Sequence, residues 1–207
     1  MTSLNLPLIS KLDYSSCGFA SFKIVTKFFG IKIYKKDSIF SNNLQNKNTL
    51  PEIALALSNI GLKTKLILFN KDIFPTTFNI NYPLTALLNL NNMITTLTPK
   101  KRAYIKTLIE YIKLTSKSES KVIFDSFSKE EIKTNIAENK AIITIVNSQI
   151  FSQNKITNKN SQHIIPIREI TNEKIIFSLS NKITRKIDEG LLAIYKAKIP
   201  SLLMVWK

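Results

Sequence analysis

The spacing of apolar residues changes along this chain, and that change limits the folds open to it. From Cys17 to Phe29, the residues Phe19, Phe22, Ile24, Val25 and Phe28 recur close to the helical period, and from Pro99 to Leu114 the residues Ile105, Leu108, Ile109 and Ile112 form one stripe on an otherwise basic segment. In the last third the apolar stretches are short runs of strand length: Ala141 to Val146, His163 to Ile167, Lys174 to Leu179 and Ser201 to Trp206. Helices first and an antiparallel-looking sheet after is an α+β layout. At 207 residues the chain suits one core. The expectation is a single domain, 1–207, with a helical part over about 1–120 and a sheet part over about 121–207.

Local signals mark several boundaries. Gly30 stands where the first helix should stop. Thr49-Leu-Pro-Glu52 combines an N-cap hydroxyl, a first-turn proline and a capping-box glutamate, and Gly61 closes the helix it opens. Leu62 to Phe69 alternates like a strand. Ser128-Lys-Glu-Glu131 is a second capping box and opens a helix to about Asn139; a further helix is expected from Lys186 to Lys196. Lys35 to Asn48 is polar and reads as a connection. Within Asn70 to Thr98 the run Leu84 to Leu90 fits strand or helix equally.

Composition removes other classes. With 44% hydrophobic and 21% charged residues the chain is neither a disordered tail nor a low-complexity fibre. One cysteine excludes an intrachain disulfide, and one histidine beside it leaves no zinc cluster to build, so neither a metal nor an organic cofactor is expected. No apolar run reaches bilayer-spanning length, and Met1 to Ser10 lacks the basic and apolar parts of a secretory leader. These point to a cytoplasmic protein, or one delivered outside the cell by a route without a cleaved signal peptide. The formal charge of +16 raises nucleic acid as a partner. However, only Arg102, Arg168 and Arg185 among thirty basic residues are arginine, the usual reader of bases, and no aromatic-basic interleaving accompanies them. Apart from Lys35-Lys36 and Lys100-Lys101-Arg102 the lysines are scattered, which reads as a solvated surface.

The two lone residues carry the chemistry. Cys17 falls at the amino end of a helix, where the dipole and the orphan N–H groups favour a thiolate, and Gly18 leaves room for a substrate carbonyl to approach the Cys17 N–H. A base must come from elsewhere, and the one histidine, His163, lies 146 positions on. That is within the roughly 130 to 150 that separate Cys and His in papain-like enzymes. Taken singly, the cysteine reads equally as a small buried hydrophobe and the histidine as a structural strand residue.

Their contexts resemble one family. Tyr14-Ser-Ser-Cys-Gly-Phe-Ala-Ser21 resembles the Cys-Gly helix start of the double-glycine leader peptidases, a branch of the papain-like cysteine peptidases, and of related bacterial effector proteases. Phe29-Gly30 is similar to the end of their first helix, Thr49 to Leu62 to their next helix and its Gly-Leu, and His163-Ile-Ile-Pro-Ile with the turn at Thr171-Asn172 to their His-strand element. The resemblance implies a papain-like thiol hydrolase of a peptide or protein substrate. Cys17 would be the nucleophile, His163 the base, and the Cys17 N–H with residue 11 the oxyanion donors. Because the chain ends at Trp206-Lys207 with no membrane or nucleotide-binding region, the expectation is a free-standing processing enzyme or a protein delivered into another cell, not the peptidase domain of a fused transporter. Two positions depart from the pattern: Lys11 stands where the family has Gln, and no carboxylate stands at Ser180-Asn181 where the family has Asp. Asn181, or more weakly Ser180, would then orient the imidazole, with Asp188 further along the chain. The same residues would serve a deamidase, deacylase or acyltransferase, and the departures also fit a non-catalytic peptide-binding domain.

Overall fold

The last described strand lies inside the sheet, with a neighbour on each side. In this computed structural model, which describes residues 2–8, 16–33, 49–69, 83–116, 118–147, 162–178, 182–197 and 199–207, the strands are β1 (Thr2–Ser3), β2 (Lys63–Leu68), β3 (Lys121–Ile123), β4 (Ala141–Asn147), β5 (Gln162–Ile170), β6 (Lys174–Ser178), β7 (Lys182–Lys186) and β8 (Ser201–Trp206). Their order is β3-β2-β8-β4-β5-β6-β7, with β1 added alongside β5. The described helices are α1 (Cys17–Phe28), α2 (Leu50–Asn59), α3 (Pro83–Ile94), α4 (Pro99–Thr115), α5 (Lys129–Ala137) and α6 (Ile187–Tyr195). The fold is α+β, as the periodicity predicts.

The local signals act where the sequence puts them. Thr49 and Glu52 exchange both bonds of the capping box, and the Ser128 hydroxyl accepts from the Glu131 N–H. Gly30 and Gly61 hold φ of 71° and 86°, left-handed conformations that end α1 and α2. Each of these costs little for glycine and would strain other residues.

Three features differ from the sequence reading. The sheet is mixed, because β2 and β3 run parallel. They are joined through α3 and α4, the long crossover that a parallel pair requires. The undecided run around Leu84 to Leu90 is helical, within α3. The strands β1, β3 and β7 are additional; β7 is an antiparallel edge partner of β6, with Lys174 opposite Lys186 and Ser178 opposite Lys182. The connection Lys35 to Asn48, including Lys35-Lys36, lies outside the described residues.

The core is aliphatic. Leu66, Ile67, Leu68, Ile142, Ile143, Ile165, Ile167, Leu202, Leu203 and Met204 are buried along the central strands, and Phe22, Ile24, Val25, Ile53 and Leu57 cover them from α1 and α2. Leu4 and Leu6 are also buried: the Leu4 N–H bonds the Arg168 carbonyl at 2.8 Å, and the Arg168 guanidinium donates to the Leu6 carbonyl. No helix among the described residues is long and apolar enough to cross a membrane.

Candidate active site

Cys17 is the first residue of α1. Ser16 caps the helix, its side chain accepting from the Phe19 N–H at 3.3 Å. Extended backbone at the cap turns the chain sharply into the helix, so Cys17 stands at the end carrying the positive pole of the dipole. The first backbone N–H groups of a helix point out of its amino end, the side from which a negative charge is favoured.

His163 comes from β5, one residue in from its start, opposite Val146 of β4. Its Nδ1 lies 3.4 Å from the Cys17 Sγ, and both residues are half-buried. Nδ1 is the ring nitrogen turned towards the sulfur, and it can accept a thiol proton in the tautomer that carries its hydrogen on Nε2. The first helix and the fifth strand pack directly on one another. One contact at their junction is polar and buried: the Ser21 hydroxyl lies 2.9 Å from the Cys17 carbonyl oxygen and 3.0 Å from that of Ile164.

The turn after β5 is built as its sequence suggests. The Thr171 N–H bonds the Lys174 carbonyl at 2.8 Å, and the Thr171 hydroxyl accepts from the N–H groups of Glu173 and Lys174. β6 returns antiparallel to β5, with Ile175 opposite Ile170 and Phe177 opposite Ile167 across a bulge between Ile167 and Glu169. Asp188 is exposed on the first turn of α6, in the wall of an open cavity of about 990 Å³ that also takes in Asn147, Lys174 and Arg185. Among the described residues, neither Cys17 nor His163 lines that cavity. Lys11, Ser180 and Asn181 lie outside the described residues. The structure thus brings together the two candidates that the sequence singles out and adds Ser21, which the sequence reading did not single out.

No metal-binding group of three or more His, Cys, Asp or Glu side chains occurs among the described residues. No protein-family model, curated protein or solved structure matches the chain.

Proposed function

We propose that the chain is a papain-like cysteine hydrolase of peptide or protein substrates. The observation that carries the reading is the 3.4 Å approach of the Cys17 Sγ to the His163 Nδ1, made by residues 146 apart in sequence and delivered by a helix amino end and a strand. In the proposed reaction His163 takes the thiol proton, and the Cys17 sulfur attacks an acyl carbon, whose oxygen is met by the Cys17 N–H and Lys11. His163 then gives its proton to the leaving group. The resulting thioester is hydrolysed by water, with His163 again acting as base. These residues do not specify the bond: an amide side chain or another acyl group would serve as well as a peptide. The resemblance favours a peptide.

Iodoacetamide tests the pair, because thiolate and not thiol is alkylated. The rate of Cys17 alkylation is expected to hold up well below the pH at which a free thiol ionises, about 8.5. A profile following an ordinary thiol would overturn the catalytic reading in favour of a peptide-binding domain, which the missing carboxylate at Ser180-Asn181 would then explain.

The third residue is open to the same approach. From Ile175 to Phe177, β6 runs towards the end of β5 that holds His163. This direction supports Asn181 or Ser180, which follow β6, as the partner of the imidazole. Asn181→Ala or Ser180→Ala is expected to slow acylation by p-nitrophenyl acetate roughly tenfold or more, as removal of a group that orients a reactive side chain does, while Asp188→Ala changes it little. The opposite pattern would show that a different segment supplies the partner.

A further inference from the structure

We infer that Ser21 is a positioning residue that sets the approach of Cys17 to His163. The inference rests on the reading of those two side chains as nucleophile and base. A serine inside a helix commonly bonds back to the carbonyl four residues earlier, and the 2.9 Å distance from its hydroxyl to the Cys17 carbonyl oxygen is that contact. The second contact is not local. The same hydroxyl lies 3.0 Å from the carbonyl oxygen of Ile164, 143 positions away and next in sequence to His163.

One hydroxyl carries one proton, so the two acceptors compete for it. The Cys17 carbonyl also faces the Ser21 N–H through the ordinary helical pattern. Ser21 is fully buried, where a hydroxyl without a partner is costly. The hydroxyl acts as a clip: its two acceptors are the backbone of the nucleophile and the backbone next to the base. A shift of a few tenths of an ångström between α1 and β5 would stretch the clip and the sulfur–imidazole contact together.

Thr26 supplies the control. It lies on the same helix, is buried, and bonds back to the Lys23 carbonyl at 3.1 Å, without a strand acceptor for that hydroxyl among the described residues. Ser21→Ala and Thr26→Val each delete one buried helical hydroxyl, so a merely structural role predicts similar behaviour for both.

The test uses the single histidine, whose ring resonance is unambiguous in NMR. The His163 titration midpoint is measured with Cys17 intact and with Cys17→Ser, and the difference reports how strongly the two side chains sense one another. This is done in the otherwise native chain, in Ser21→Ala and in Thr26→Val. Ser21→Ala is expected to reduce that difference by at least half and to lower the rate of Cys17 alkylation at pH 6 about tenfold, while Thr26→Val leaves both unchanged. Ser21→Thr, which keeps the hydroxyl, is expected to restore the coupling at least in part. Equal coupling in Ser21→Ala and in the native chain would overturn the inference. An ordinary alkylation profile in the native chain would overturn the hydrolase reading alone, since the coupling between Cys17 and His163 would still show whether Ser21 sets their approach.

Discussion

His163→Ala is expected to slow acylation of Cys17 by p-nitrophenyl acetate at least a hundredfold at pH 6.5, and Cys17→Ser to abolish the acetyl adduct on that residue. The magnitude follows from two effects at one contact. Removing a positioned general base generally costs 10²- to 10⁴-fold. At roughly 4 Å an ion pair gains about 4 kcal/mol in an effective dielectric of about 20. On the proposed reading, a thiolate–imidazolium pair at the 3.4 Å separation of the Cys17 sulfur and the His163 nitrogen would draw on an attraction of that order, less the loss to desolvation. Without the ring, only the helix amino end still favours the thiolate, an effect of about 0.3 to 1 kcal/mol at an exposed site. The iodoacetamide profile of His163→Ala should therefore move up towards that of an ordinary thiol. Both variants should keep the circular dichroism of the native chain, because each side chain is half-buried and outside the aliphatic core. Acylation of His163→Ala within threefold of the native rate would show that the imidazole is a neighbour and not a base.

The parts of this arrangement that were legible in the sequence are those with local causes. Thr49 and Ser128 declare helix starts because a side chain three residues from its target reaches it whatever the rest of the chain does. Cys17 and His163 stand out because there is one of each and because each sits at an interpretable place, a helix start and an apolar strand. What escaped depends on partners far away in sequence. β1 has two residues and β3 three, too few to show any period, and both exist through pairing with β5 and β2. β7 reads Lys-Ile-Thr-Arg-Lys, a charged stretch whose strand state comes from lying against β6. The helix over Leu84 to Leu90 shares its apolar density with a buried strand, and only its neighbours settle the difference. Ser21 escaped for a similar reason: a serine four residues after a helix start is unremarkable until Ile164 arrives beside it.

Tyr111→Ala is expected to cost about 3 to 5 kcal/mol of folding stability, the range for removing a large buried aromatic side chain, measured by urea unfolding. Among the described residues Tyr111 heads the fully buried side chains by volume, and its phenol lies 2.6 Å from the Thr64 hydroxyl, which lies 2.7 Å from that of Ser58. The Ser120 hydroxyl accepts from the Thr64 N–H at 2.9 Å, so this network ties α2, β2, α4 and the approach to β3. Tyr111→Phe keeps the ring and leaves Thr64 its bond to Ser58, so it should lose only about 1 kcal/mol. The phenol also fixes a pH dependence. Burial pushes both Tyr111 and Tyr104 above the ordinary tyrosine value, an effect that hydrogen bonds from Thr64 and Ser58 only partly offset at Tyr111. The unfolded chain therefore gives up these protons first. Their contribution is fully present below about pH 10, the unfolded value, and is lost as the pH climbs towards the folded one. Stability measured between pH 9 and 11 should fall in the native chain and fall less steeply in Tyr111→Phe. Equal slopes would mean that this phenol is not what limits the fold in alkali. Because α2 packs on both α1 and α4, Tyr111→Ala should also loosen the support beneath the Cys17 helix. Tyr111→Phe, with the ring still in place, should alkylate Cys17 at the native rate.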